Sequence, residues 1–280
     1  MTAKPVVLAV TSDHHIRSTV GLCPPQGCPL DDGGTYMPSK AQQWLWQSWV
    51  AFWGQVDKVR REEGADLYEI YNGDLIDGEH HGTPQISTKN LADEQELALA
   101  CLAPALSLAP NYVFVVRGTE AHVGKSGERE EMIARRIEAE KDPQGNASWW
   151  QLTLQINGSI LQFAHHGRIG YRPWTRANAA QMLAAELTID HSSSPYAPQL
   201  AVFSHHHQVA DSYDNYPVRV IQTPAWQLAT AYVHRIKPGA LASIGGLVII
   251  CREGEYSVEK VIYKPEREKP WTESPYQKGS

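Results

Sequence analysis

No stretch of this chain approaches the roughly twenty consecutive apolar residues that a membrane helix needs, and even Ile244 to Cys251 is flanked at once by polar residues. A secretory leader is missing too: the first ten residues hold only the short run Val6 to Val10, with one lysine before it and no small-residue cleavage site after a longer core. Both absences make a cytoplasmic protein the expectation. Positive charge is in short supply, with 25 Lys and Arg against 31 Asp and Glu, a net charge of −6 and a pI near 6.0. General attraction to a nucleic-acid backbone is thereby excluded, and an extended duplex is a disfavoured partner. Cysteine is sparse as well, and its four residues do not form a disulfide framework. Cys101 and Cys251 lie in apolar patterns and read as small buried hydrophobes. Cys23 and Cys28 bracket a Pro-Pro-Gln-Gly loop, and without a second pair they read as a tight exposed loop rather than a zinc site.

What is present is enough apolar sequence for a large core: 42% hydrophobic and 20% charged residues over 280 positions. One domain over residues 1–263 is expected, followed by a Pro-rich, charged and flexible tail over 264–280. Five short apolar runs have strand character: Val6 to Val10, Leu67 to Tyr71, Tyr112 to Val116, Ile160 to Ala164 and Leu200 to Phe203. Between the first three lie helical patterns. Leu45, Trp49, Phe52, Val56 and Val59 recur at four- and three-residue steps after a start signal at Pro38-Ser39, a second helix spans about Leu91 to Leu108, and a charged third spans about Glu128 to Glu140. Asn157-Gly158 joins two strands as a type I′ hairpin, Glu253-Gly254 joins two more, and a helix from Arg176 to Leu187 lies between them. The rhythm predicts an α/β fold with a mixed sheet or two packed sheets and helices outside.

The chemistry is concentrated where those runs end. Asp13, His14 and His15 follow the first, Asp74 and Asp77 the second, Glu120 and His122 the third, His165 and His166 the fourth, and His205, His206 and His207 the fifth. Ten of the twelve histidines sit at or just beyond these ends, counting His80 and His81. Core histidines scattered at random would not sort in this way, and the C-terminal edge of the strands is where open α/β sheets place their sites. Imidazoles mixed with carboxylates suit divalent Mn, Zn, Fe or Ni, and the number of ligands fits two ions. Residues at i and i+2 point together from a strand end, which pairs Asp13 with His15 and His205 with His207.

In order and spacing these residues resemble the calcineurin-like metallophosphoesterases, whose motifs are Asp-x-His, Gly-Asp-x-x-Asp, Gly-Asn-His-Asp/Glu, His-Gly and Gly-His-x-His. Asp13-His14-His15, Gly73-Asp74-Leu75-Ile76-Asp77, His166-Gly167 and Ser204-His205-His206-His207 answer four of them, over roughly Val6 to His207. The third departs: Gly118-Thr119-Glu120-Ala121-His122 is one residue longer and lacks the asparagine. The resemblance implies a four-layer α/β/β/α sandwich and a dinuclear site. Its first metal would be held by Asp13, His15 and His207 and its second by His166, His205 and Glu120, with Asp74 bridging. His122 would be the catalytic histidine, acting on the transition state or the leaving group.

Some candidates keep two readings. Asp77 either orients a ligand or starts the next loop, while His80 and His81 either reach substrate or form an exposed loop pair. Arg168, Tyr171 and Arg172 stand where they could flank a bound phosphate, although surface arginines are common. Because strand neighbours point to opposite sides, only one of His165 and His166 is expected to face the metals, and His166 is chosen as the residue before glycine. His14 and His206 are expected to support rather than ligate. The implied activity is hydrolysis of a small or nucleotide-type phosphodiester. The rivals are a phosphomonoesterase or protein phosphatase, a nuclease, and a catalytically weakened scaffold. Oligomeric state is not legible.

Overall fold

The first strand, Val6–Thr11 (β1), is buried along its whole length, as a strand must be when a layer packs on each of its faces. Its side chains divide by parity. Val7 and Ala9 join one core, and Val6, Leu8 and Val10 another. These observations come from a computed structural model that describes residues 3–80, 82–168, 172 and 175–267.

After β1 come a two-stranded ribbon, Cys28–Pro29 (β2) and Thr35–Tyr36 (β3), and the long helix Lys40–Glu63 (α1). Ser39 starts that helix with a reciprocal capping box to Gln42, and Gly64 ends it in the left-handed region, where the backbone carries no Cβ penalty. Then follow Asp66–Asn72 (β4), Leu91–Leu106 (α2), Tyr112–Val116 (β5), the single turn Glu120–Val123 (α3), Glu128–Arg136 (α4) and Ser148–Trp149 (β6). The hairpin of Leu152–Ile156 (β7) and Ser159–His166 (β8) turns at Asn157 and Gly158, both at positive φ as the type I′ turn requires. Arg176–Asp190 (α5), Leu200–Ser204 (β9), Ala210–Asp211 (β10), Arg219–Gln222 (β11), Ala231–Ile236 (α6), Ile244–Arg252 (β12) and Glu255–Tyr263 (β13) complete the chain. Helix α4 ends four residues before the expected Glu140, because Glu138 turns left-handed and the chain joins the sheet through the bond from Glu140 N to Val113 O. Residues 268–280, most of the expected tail, lie outside the described residues.

Two mixed sheets result. One has the order β13-β12-β1-β4-β5-β6 and the other β10-β11-β9-β8-β7. Within the first, β1, β4 and β5 run parallel; within the second, β8, β9 and β11 do. The sheets pack face to face through Leu8, Val10, Ile70, Leu161, Phe163, Leu200 and Val202. Helices α1, α2 and α4 cover the outer face of the first sheet, and the alanine face of α5 (Ala180, Ala184) covers Ala201 and Val220 of the second. The layers are therefore α/β/β/α, the arrangement the resemblance implies. No described helix is long and apolar enough to cross a membrane.

Candidate metal centre

The strand ends of the two sheets are joined by a short polar relay. Asn72, the last residue of β4, donates to Ala164 O at 3.0 Å and to Ser204 Oγ at 2.7 Å, which ties the first sheet to β8 and β9. Thr223 Oγ1 donates to Ser204 Oγ (2.9 Å) and lies 2.7 Å from Ser12 Oγ, and the latter donates to Asp13 Oδ2 at 2.7 Å. Beyond β1 and β4 the chains 13–16 and 73–77 continue side by side, with bonds from Asp13 N to Gly73 O, His15 N to Asp74 O and Asp77 N to Ile16 O. Asp13, His15, Asp74, His205 and His207 all have positive φ. A left-handed backbone is uncommon for such residues and here turns successive side chains toward one rim.

Three groups of donor atoms gather there. The first is Asp13, His15 and His207, with the two Nε2 atoms 3.1 Å apart and His207 Nε2 3.3 Å from Asp13 Oδ1. The second is Asp74, His165 and His205, with His165 Nε2 2.9 Å from Asp74 Oδ2. The third is His15, Asp77 and His122. Asp77 Oδ1 lies 3.3 Å from His15 Nδ1, 3.1 Å from His80 Nε2 and 2.9 Å from His122 Nδ1. Of its two sequence readings, Asp77 therefore takes the orienting one. By engaging Nδ1 of His15 it leaves Nε2 to the first group, and so fixes which nitrogen is offered to an ion.

Several expectations change. His165, expected to face away, is buried against Asp74, whereas His166 is exposed. The cause is a register shift between Phe163 and His166 in the β8–β9 pairing, which breaks strict alternation and brings both rings to the site, 5.1 Å apart. Glu120 belongs to none of the three groups. It stands exposed at the first position of α3 and lines a shallow surface depression with Glu79, Lys125 and Arg129. Thr119 stands nearer the donor groups: its Oγ1 lies 3.0 Å from His205 Nδ1, 3.1 Å from Asp74 Oδ2, 3.3 Å from His165 Nε2 and 3.4 Å from His166 Nε2. Sequence reasoning passed over Thr119, although the residue after Gly118 is where the resemblance has its asparagine.

Asp74 was expected to bridge. Its Oδ1 accepts a 2.6 Å bond from Thr119 N, whereas Asp13 Oδ1 lies between the two main groups, 3.3 Å from His207 and 3.9 Å from His165. Arg168 pairs with Glu186 on α5 at 2.6 Å. Arg172 is exposed, with its N–H bonded to Thr175 Oγ1, and His81 and Tyr171 lie outside the described residues. His14 packs edge-on against Trp49 and Tyr71, and His206 bonds Gly167 O, as supporting residues would. Cys23 and Cys28 are buried in the core instead of exposed, because their loop folds under α2.

A second missed residue is Glu130 of α4, fully buried, whose two oxygens accept the backbone N–H groups of Leu75 (2.9 Å) and Gly118 (2.7 Å). One carboxylate thus clamps the loop after β4 to the loop after β5. Burial, reinforced by the Asp74 carboxylate, pushes Glu130 up to about 8 against those two bonds.

The buried carboxylates and imidazoles of the site hold one another's charge. Burial raises the carboxyls of Asp13 and Asp74, yet His207 beside the first and His165 beside the second hold both well below the usual range. Burial opposes a charge on His165, but Asp74 and Asp13 lift it to about 10. Burial instead takes His205 down to about 4. Asp13 Oδ1 is buried with no hydrogen-bond donor. An orphaned carboxylate oxygen faced by imidazole nitrogens about 3 Å apart is the donor set of a divalent-cation site, and the residues fit such ions.

No family model matches the chain, and no curated protein matches it. Solved structures do. Vps29 of Chaetomium thermophilum aligns over 93% of this chain and 100% of its own at 11% identity and a TM-score of 0.40. The sulfate thiohydrolase SoxB of Thermus thermophilus aligns over 92% of this chain at 10% identity and TM-score 0.43, and the chain spans only 56% of SoxB. A dimetal phosphatase of Danio rerio aligns over 90% of this chain and 98% of its own at 10% identity and TM-score 0.37. The folds of these neighbours are calcineurin-like metallophosphoesterase folds.

Proposed function

We propose that this chain is a metal-dependent hydrolase of phosphate esters, acting on phosphodiesters in preference to monoesters. The observation that carries the reading is the convergence of two His-carboxylate groups on the orphaned Asp13 Oδ1, at the mouth of a cavity. Asp13, His15 and His207 would hold one divalent ion, and Asp74, His165, His205 and the Thr119 hydroxyl the other, with His166 close enough to complete the second set. Such a pair of ions lowers the pKa of water toward neutrality and clamps the entering and leaving oxygens of an in-line displacement.

The remaining work falls to the chain. His15 and His122 meet edge to face, with ring centroids 4.6 Å apart, and the bond that His122 Nδ1 donates to Asp77 Oδ1 leaves Nε2 as the nitrogen available to a substrate. In its protonated form His122 would give that proton to the departing oxygen, a contribution of about a hundredfold to ten-thousandfold for a well-placed acid. Asp77 would hold the imidazole in the orientation this requires. The imidazole-rich ligand set suits manganese, zinc, iron or nickel.

The test is hydrolysis of bis(p-nitrophenyl) phosphate and p-nitrophenyl phosphate by the purified protein, stripped with chelator and reloaded with manganese or zinc. Chelator-reversible turnover, with the diester ahead, supports the proposal. Faster monoester turnover moves the assignment to a phosphomonoesterase. No turnover in either metal, with both ions demonstrably bound, replaces it by a scaffold that keeps the fold.

A further inference from the structure

Beside the donor groups lies a cavity of about 420 Å³ whose far wall the sequence did not announce. That wall is the segment leading from β11 through α6 toward β12, and it contributes Leu228, Thr230, Tyr232, Val233, Lys237 and Leu241. The near wall is His122 and His207 with Gln208. Its size falls within the roughly 300–1,000 Å³ of small-ligand sites.

The wall is fixed relative to the reaction centre. Trp226 N donates to Asp13 O at 3.0 Å, so the wall is bonded to the backbone of a residue proposed to hold an ion. Leu228 N donates to Val20 O, Ala231 N to Gln85 Oε1, and Thr230 caps the start of α6 through Val233 N. A group resting against the wall is therefore held at a set distance from a phosphate at the donor groups. The chemistry of the lining limits what that group can be. Leu228, Val233 and Leu241 offer apolar surface, and Tyr232, a large hydrophobic residue, is 69% exposed. Among the described lining residues Lys237 is the one lysine or arginine. A nucleic-acid strand needs a basic track for successive phosphates, which the described lining does not supply, whereas one flat aromatic group finds a ring and an apolar floor.

Building on the hydrolase reading, we infer that this cavity is a subsite for the organic group of the ester, and that it selects a compact aromatic moiety of nucleobase size on Tyr232 and Leu241. The substrate class is then a small aromatic or nucleoside phosphate ester, not a polymer.

Binding of adenosine 5′-monophosphate and of methyl phosphate to the manganese-loaded protein, measured by calorimetry, tests this whether or not the protein turns over. The parent binds the nucleotide roughly ten- to a hundredfold more tightly, the range that base stacking on an aromatic ring supplies. In the double variant Tyr232→Ala, Leu241→Ala that preference falls to within about threefold, with methyl phosphate affinity and manganese content unchanged. Both side chains are at the surface, so the variant folds, and matching thermal unfolding checks it. Equal affinity of the parent for the two ligands, or an undiminished preference in the variant, overturns the subsite. Preferential nucleotide binding without ester hydrolysis keeps the subsite and removes the catalytic reading.

Discussion

Replacing Glu130 by glutamine is the sharpest perturbation the structure offers, because it leaves every proposed ion ligand in place. Glu130 is fully buried and accepts two backbone N–H groups, one from the loop that carries Asp74 and one from the loop that carries Thr119. An amide keeps the volume but presents an NH₂ where one of those N–H groups points, so a buried donor faces a donor. An unsatisfied buried group of this kind costs about 1–3 kcal/mol. Relief of the burial that lifts Glu130 to about 8 offsets part of the loss. A net destabilisation of about 2 kcal/mol is expected in urea unfolding of the chelator-treated protein. The same change lets the two loops drift apart, and supporting residues of this sort are worth roughly ten- to a hundredfold in metal affinity. Manganese titration by calorimetry reads that second effect. A variant as stable as the parent to within about 0.5 kcal/mol would refute the energetic argument. Lost stability with an unchanged manganese affinity would show that the clamp braces the fold without positioning the site.

Thr119→Val keeps the shape and removes the oxygen that lies 3.0–3.4 Å from one donor atom each of Asp74, His165, His166 and His205. One of two bound manganese ions should weaken by about tenfold or more while the other is unaffected, and two unchanged binding steps would dismiss the hydroxyl as a ligand. Glu69 on β4 is buried with one oxygen unpartnered, and burial raises it from 4.5 to about 7 despite the bond from Tyr71. The native state then holds its proton more tightly than the unfolded chain, so the contribution is complete below pH 4.5 and lost as pH rises through about 7. Between those limits Glu69→Gln should gain roughly 3 kcal/mol on the parent, and parallel stability–pH curves would contradict this.

Much of the site was legible because histidine is rare and its placement at five strand ends is hard to produce by packing alone. The layered fold followed from the β-α-β rhythm and two hairpins, one of them marked by Asn157-Gly158. The residues that escaped notice did so for physical reasons. Alternation allowed only one of His165 and His166 to face the site, but a bulge suspends alternation and leaves no mark in a single sequence. Thr119 is one hydroxyl among many, and its importance comes from four donor atoms converging on it from distant segments. Glu130 sits in a run of charged residues that reads as a solvated helix, although the pocket over it is closed by Leu75 and Gly118. The wall around α6 is short and aperiodic, so neither helical nor strand spacing advertises it.

Five proposed ligand positions or their hinges, from Asp13 to His207, rest in the left-handed region of backbone space. Torsion angles of this kind for residues with side chains are worth on the order of 1–3 kcal/mol each, and the surrounding structure must impose them. The rim is consequently a tightly sprung part of the molecule, wound by folding itself. A lineage selected only for thermal endurance would relax these turns, exchanging aspartate and histidine for glycine or asparagine, and would lose its chemistry in becoming sturdier.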